Sequence, residues 1–437
     1  MSVWIPDETM LSKAELEVQI QQIRSIYIKI EILNTDDLVI DEVSGECIGG
    51  SYNINAEAPI RRTCSVKFKI FGKFLPSEKS VFWINKRFRL FVGITYLKTG
   101  EIIWFKKGTY AIQDPSVNIS INENSVSISG LDKMALFTGD ISGQLSVKYI
   151  IKLSEGNSGV YVHDAIKAVV KDGGESNMKI SETSLIIPYK IEKNIGETRY
   201  EIINELVNLF YNYQAFYDLD GNFIFTEKPT ELGAIKNSEV QWDFSSYNLI
   251  QSLERQIQYK NIKNKFTVYG GVMSKGCQAQ YQILLTDKEY PDCPYTQTRL
   301  LENFTRDFVV QEDTYIGSSE AYDKAKATGK IDDDIDDMNI SIEFESKFTQ
   351  KELEDMKKSL KYATQLCKNR AKQEIFYHQQ ATDTVKITCL PIYSLDVNQV
   401  IEIYDKTSGT SGKYVVKEIS CGLSSKDIMN ITAIKLW

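Results

Sequence analysis

Residues 400–416 read Val400-Ile401-Glu402-Ile403-Tyr404, then the turn Lys406-Thr407-Ser408-Gly409, then Gly412-Lys413-Tyr414-Val415-Val416; Met429-Asn430-Ile431-Thr432 follows. The same order of features occurs three hundred residues earlier. There Arg89-Leu90-Phe91-Val92-Gly93 is followed by Lys98-Thr99-Gly100, by Gly108-Thr109-Tyr110-Ala111-Ile112, and later by Val126-Ser127-Ile128-Ser129. Tyr110 stands nearly as far from Ile128 as Tyr414 does from Ile431. Apolar and polar residues alternate in these runs, and turn residues separate them, which is the pattern of half-buried strands. A repeat of this kind predicts two related β-barrels in one chain.

Around the first copy, Ser25–Ile32 alternates with period two, with Ile26, Ile28, Ile30 and Ile32 on one face. Further strands are expected at Cys64–Phe71, Arg87–Tyr96, Ile102–Phe105, Thr109–Gln113, Val117–Ile121 and Ser125–Ser129, with turns at Lys98-Thr99-Gly100 and Asn122-Glu123-Asn124. Pro115 falls between two of them, where a missing ladder donor does least harm. Ahead of the strands, Leu11–Ile23 has apolar residues at Leu11, Leu16, Ile20 and Ile23 and suits a short amphipathic helix.

The texture changes near Ser146. Val160–Lys171 reads as a helix stopped by Gly173-Gly174, and Thr198 with Glu201 forms a capping box ahead of Ile202, Leu206, Leu209, Phe210 and Tyr213. Ala215–Tyr217, the turn Asp218-Leu219-Asp220-Gly221 and Asn222–Thr226 read as a hairpin. Strands resume at Leu249–Gln258 and Lys265–Tyr269, and a poorly patterned excursion follows over 272–347. Its acidic run Asp332–Asp337 reads as a solvated loop. A second capping box, Thr349 with Glu352, opens a long helix with Leu353, Met356, Leu360, Ala363, Cys367, Ala371 and Ile375 on one face. The last strands are Thr384–Cys389, Gln399–Tyr404, Lys413–Ile419 and Asn430–Lys435.

The expected class is α+β, mainly β. A first barrel with an N-terminal helix spans 1–146, a small α+β domain 147–239, and a second barrel 240–437, interrupted by the excursion and long helix at about 272–382. A length of 437 residues allows two to four domains. With 24 Tyr and 19 Phe against 9 Pro, composition favours strands. A net charge of −8 without a polybasic stripe argues against specific nucleic-acid binding. The seven cysteines are scattered and never form C-x-x-C, which fits reduced thiols rather than a disulfide framework or zinc site. Met1–Met10 has no signal-peptide pattern, and no run of about 18 apolar residues suggests a membrane segment.

The stretch Trp83-Ile84-Asn85-Lys86 through Gly93-Ile94, with Ile102-Ile103-Trp104-Phe105, Gly108-Thr109-Tyr110 and Ile128-Ser129-Gly130-Leu131-Asp132-Lys133-Met134-Ala135-Leu136, resembles phage tail and prophage proteins related to baseplate hubs. The C-terminal Gly412–Val416 with Met429–Thr432 is similar to the end of the late control protein D family, which includes phage hubs and the base of type VI secretion spikes. The resemblance covers most of the chain, but 272–347 has no counterpart in it. It implies a homotrimer with two barrels per chain, six in a ring, matching a sixfold tail tube on one side and a threefold spike on the other. Implied partners are the tail tube protein, the central spike or tail tip protein, other baseplate proteins and, further along the tail, a tape measure protein. The implied location is the virion tail baseplate, after synthesis in the bacterial host cytoplasm. The acidic balance is compatible with a lumen through which DNA slides.

No catalytic, cofactor-binding or metal-ligating residue is nominated. His163 next to Asp164 suits a solvated or capping role, and His378 suits the C-terminal end of the long helix. Ser408-Gly409-Thr410-Ser411-Gly412-Lys413 lacks the first glycine and the final Ser/Thr of a phosphate loop, so it reads as a hairpin turn. Asp218-x-Asp220-Gly221 lacks the rest of a calcium loop, with Pro229 where the closing Glu belongs. Neither G-x-S-x-G nor H-E-x-x-H occurs, although paired carboxylates such as Glu343 and Glu345 can meet across a cleft without a sequence signature. The expectation is therefore a non-enzymatic hub. The alternatives are a tail-associated cell-wall-degrading enzyme and, from the Tyr and Trp content, a carbohydrate-binding tail module.

Overall fold

The computed structural model describes residues 12–21, 23–44, 47–69, 75–119, 124–151, 160–187, 189–209, 213–227, 239–291, 293–342, 345–380 and 383–435. Met1–Met10, Leu11, Phe71, the Asn122-Glu123 turn, Phe210, Pro229 and Glu343 lie outside these residues. The first strands in chain order are β1 (Ile26–Leu33), β2 (Val39–Ser44), β3 (Cys47–Asn55), β4 (Arg62–Lys69), β5 (Arg87–Thr95), β6 (Ile102–Ile119) and β7 (Asn124–Asp132). Next come β8 (Tyr149–Ile151), β9 (Met178–Ile180), β10 (Ile191–Lys193), β11 (Tyr213–Tyr217), β12 (Phe223–Glu227), β13 (Val240–Asp243) and β14 (Ile250–Ile257). The last are β15 (Lys265–Val272), β16 (Gln278–Leu284), β17 (Asp307–Glu312), β18 (Asp383–Cys389), β19 (Val400–Asp405), β20 (Thr410–Gly422) and β21 (Met429–Lys435).

Thirteen strands from the two ends of the chain form one large, mainly antiparallel sheet in the order β14-β18-β21-β20-β3-β4-β7-β6-β5-β1-β2, with β19 and β13 branching from β20. The ladder is open at β14 and β2 among the described residues. Its interior is a single apolar core that takes Ile30, Val66, Phe88, Tyr110 and Ile128 from the first half and Trp242, Ile387, Ile401, Tyr414 and Ile431 from the second. Each buried aliphatic or phenylalanine side chain contributes about 1.5–3 kcal/mol, which holds strands such as β4, buried at Arg62, Cys64, Val66 and Phe68, in a period-two register.

The internal repeat is written into the registers. The run β3-β4-β7-β6-β5 in the first half corresponds to β14-β18-β21-β20-β19 in the second; beyond it the halves differ, since β1 pairs antiparallel with β5 and β13 pairs parallel with β19. Val66 faces Ile128, and Ile387 faces Ile431. Tyr110 faces Asp132, and Tyr414 faces Lys435. A bulge skips Ile48 between Cys47 and Gly49, and its counterpart skips Gln251 between Ile250 and Ser252. The structure moves one element of the repeat. Gly108 pairs with Leu90 but Gly412 pairs with Ile403, so Leu90 corresponds to Ile403 and not to Ile401. The first hairpin has a longer turn, and an even shift keeps the same face inward: Leu90 and Ile403 are both buried.

Three expected strands, Ile102–Phe105, Thr109–Gln113 and Val117–Ile121, belong, as far as described, to the single strand β6, bulged between Gln113 and Ser116 where Pro115 sits. Strands β2 and β3 were not anticipated. Gly50, at φ 144°, explains why β3 hides: a Cβ there would lie 2.0 Å from the Ser65 carbonyl oxygen, so the close approach of β4 demands glycine. The N-terminal helix is shorter than expected, Lys13–Ile20, because Ser12 and Glu15 form a capping box at its start.

A second core joins the middle of the chain to the excursion. Helices Val162–Asp172 and Arg199–Asn208 pack with β11 and β12, and the same apolar cluster continues into β15, β16, helix Ser319–Ala327 and the long helix Gln350–Gln380. Both predicted capping boxes form, Thr198 with Glu201 and Thr349 with Glu352. The excursion is a folded layer: β16-β15-β17 makes a three-stranded sheet against the long helix. Its acidic run is exposed at Asp333, Asp334 and Asp337, as expected, but is not a loop. Asp333–Asp336 is a helical turn around buried Ile335, Asp332 and Asp334 pair with Lys368, and Asp336 pairs with Lys326. No helix among the described residues is long and apolar enough to cross a membrane.

Candidate functional site

The densest polar chemistry lies where three parts of the chain meet. Arg62, at the start of β4, is almost fully buried; its guanidinium donates to Asp396 Oδ2 at 2.5 Å and to the Tyr217 carbonyl at 2.8 Å. One guanidinium therefore ties the first half of the sheet to the second half and to the β11–β12 hairpin. The Arg62 backbone N–H donates to Asp132 Oδ2, and Met134 N–H to Asp132 Oδ1, both at 2.9 Å. Arg61 lies 3.7 Å over the Phe216 ring and donates to Gln214 Oε1. Lys107, from β6, reaches the Leu395 carbonyl at 3.4 Å and sits over the Tyr52 ring.

A second node adjoins it. Lys133 is fully buried, and its Nζ contacts Glu175 Oε2 at 2.6 Å, Asp37 Oδ2 at 2.8 Å and the Gly221 carbonyl at 2.9 Å. Arg87 donates to Asp37 Oδ1 at 2.8 Å, and the Tyr217 hydroxyl donates to Glu175. Asp37 sits at φ 60° in the turn after β1, a conformation aspartate tolerates better than most residues. The hairpin turn Asp218–Gly221 is braced by its own carboxylate: Asp218 Oδ1 accepts from the N–H groups of Asp220 and Asn222. That geometry is a turn, as the sequence suggested.

Burial sets the charge states. It pushes Asp132 up, against the two backbone N–H groups that favour the carboxylate. Burial also pushes Asp396 up, but Arg62 and Lys107 outweigh it and hold Asp396 below the usual range. Burial pushes Arg61 down to about 10 and Lys107 down to about 8. Shifted carboxyl and lysine groups side by side can mark a catalytic centre. Here each is buried, and the hydrogen bonds of Arg62 and Lys107 tie β4 and β6 to the connection after β18 and to the β11–β12 hairpin, so we call the cluster a lock.

The residues weighed from the sequence lie elsewhere. His163 Nδ1 accepts from the Thr183 N–H at 3.2 Å, and its Nε2 is 3.5 Å from Asp164, on a helix flank. His378 stands in the last turn of the long helix, its Nδ1 3.1 Å from the Asn261 carbonyl and its ring against Phe308, and burial lowers its pKa. Ser408 donates to Asp405 within the β19–β20 turn, which is a hairpin and no phosphate loop. Among the described residues no group of His, Cys, Asp and Glu could hold a metal ion. Cys64, Cys277, Cys293, Cys367, Cys389 and Cys421 are free thiols. Sequence reasoning missed the lock, although Asp132-Lys133 stood inside the stretch that carried the resemblance.

Two solved structures of tail proteins share the overall fold of this chain over nearly their whole length. The 43 kDa tail protein of prophage MuSo2 from Shewanella oneidensis matches with TM-score 0.50 and 11% identity, over 94% of this chain and 98% of that one. The tail protein from Neisseria meningitidis MC58 matches with TM-score 0.51 and 11% identity, also over 94% and 98%. Residues 336–437 match a family described as a domain of unknown function, DUF5048. No curated protein matches the chain. The chain thus has the fold of phage tail proteins, as the resemblance implied.

Proposed function

We propose that the protein is a structural, non-enzymatic baseplate hub of a phage or phage-like tail, a homotrimer that joins a sixfold tail tube to a threefold central spike. The observation that carries the reading is the duplicated unit: β3-β4-β7-β6 and β14-β18-β21-β20 repeat the same order, and the chain itself joins them through β3 and β20. Three copies of two similar units present six nearly equivalent docking faces, which resolves a threefold-to-sixfold mismatch without a second protein. In this reading each half curls into a barrel-type domain, at 1–146 and in the strands of 240–437, with 147–239 as a small domain between them.

The partners are then the tube protein, the spike or tail tip protein, other baseplate proteins and the tape measure protein, and the location is the virion tail. The fold shared with two tail proteins supports this reading. Imaging of assembled tails carrying a label on this chain tests it: density at the junction of tube and tip supports the hub. Reproducible release of sugar or peptide from purified cell wall by the recombinant chain would favour the wall-degrading alternative instead.

A further inference from the structure

The chain carries its own template for a contact between copies. Inside one molecule, β20 of the second unit pairs with β3 of the first: Ser420 opposite Asn53, Cys421 opposite Tyr52 and Gly422 opposite Ser51. Each partner has a counterpart in the other unit. Strand β14 is the counterpart of β3: it pairs with β18 as β3 pairs with β4, and its bulge falls at the same place. Through the facing pairs, Ser51, Tyr52 and Asn53 correspond to Glu254, Arg255 and Gln256.

Strand β6 is the counterpart of β20. Ser116 faces Ser127 as Ser420 faces Asn430, and Val117 faces Val126 as Cys421 faces Met429. Both strands are bulged just before this end, β6 between Gln113 and Ser116 and β20 between Val416 and Glu418. The bulge therefore does not prevent pairing beyond it, since β20 pairs with β3 there.

The two counterparts are left open. Strand β14 is the end of the sheet, with β18 as its one strand neighbour among the described residues. Residues 114–119 of β6 are all exposed, Val117 at 43% and Ile119 at 75%, whereas Ile419 and Cys421 at the paired end of β20 are buried. Strand β5 ends at Arg87, opposite Ala111, and beyond it that edge of β6 has no strand neighbour among the described residues. Unpaired backbone N–H and C=O groups along a strand edge are a template for another strand.

We propose that β14 of one copy pairs antiparallel with the end of β6 of the next, with Ser116 opposite Gln256, Val117 opposite Arg255 and Asn118 opposite Glu254. The partner is a second copy of this chain, because each edge repeats a surface the chain already joins within itself. The contact is heterologous, so copies add head to tail until the ring closes. That the ring closes at three rests on the hub reading; the pairing rests on the internal junction alone.

The test is oxidation of the purified full chain carrying Asn118→Cys and Glu254→Cys, exposed positions whose Cβ atoms would face each other across the ladder within disulfide reach. The expected result is a covalent ladder that ends at three copies and disappears on reduction, with none from Asn118→Cys combined with Ile257→Cys, which sits on the opposite face. Amide exchange read alongside should slow at 116–119 and 250–257 together as wild-type concentration rises. A ladder that ends at another number keeps the pairing and removes the trimer. A trimer by mass with neither ladder nor slowed exchange overturns the pairing and leaves the hub reading standing, and a ladder of equal strength from the control pair also overturns it.

Discussion

Replacing Asp396 with Asn changes one oxygen into an amide, preserves volume, and leaves the Arg62 guanidinium buried without its counter-ion. The pair is 2.5 Å apart, and its side chains are 4% and 11% exposed. Removing one partner of such a pair costs about 3–5 kcal/mol, because the surviving charge stays out of water. Two features place Asp396→Asn at the lower end. Arg62 keeps its bond to the Tyr217 carbonyl, and Lys107, pushed down to about 8 by burial, gives up its proton more readily once the carboxylate is gone. The comparator is Asp323→Asn, whose pair with Lys358 is 42% and 58% exposed and should cost less than about 1 kcal/mol. Urea unfolding followed by fluorescence of Trp242, buried in the large-sheet core, reads both variants. A loss of about 3 kcal/mol for Asp396→Asn supports the lock; a loss no greater than that of Asp323→Asn refutes it.

Lys107 gives the pH dependence a sign. Its folded pKa, about 8, lies below the unfolded value of 10.5, so between these values the unfolded chain binds more protons and stability rises with pH. Wild type should gain on the order of 3 kcal/mol relative to Lys107→Met across that window, and parallel pH profiles would contradict the assignment. Gly130→Ala should destabilise by about 1–3 kcal/mol in the same unfolding assay, because the new methyl would lie 2.7 Å from Phe88 Cζ and 2.9 Å from Cys64 Sγ; a neutral variant would show that this packing yields.

The strands legible in the sequence were those with period-two alternation, such as Ser25–Ile32, because burial on one face writes itself into residue type. Strand β3 was not, since Gly50 serves a close approach and Asn53 and Asn55 a strand junction rather than an apolar face. Pro115 read as a break because a bulge and a strand end look alike in one dimension. The repeat was legible through Tyr110 and Tyr414, yet its first hairpin was set two residues off, since turn length is invisible to pattern matching. The lock was illegible because Arg62 and Asp396 are 334 residues apart, and single charged residues at strand ends usually face water. Likewise, Asp332–Asp337 gave no sign of Lys368 and Lys372 on the long helix, which pair with Asp332 and Asp334.

The central claim is that duplication within the chain exists to bridge threefold and sixfold symmetry. Counting copies of this chain in assembled tail particles, by quantitative mass spectrometry against the tube protein or by imaging of the tip, tests it most directly. Three copies per particle beneath a tube of sixfold rings are expected. Six copies would supply twice as many units as the tube can meet and would contradict it, whatever the fold.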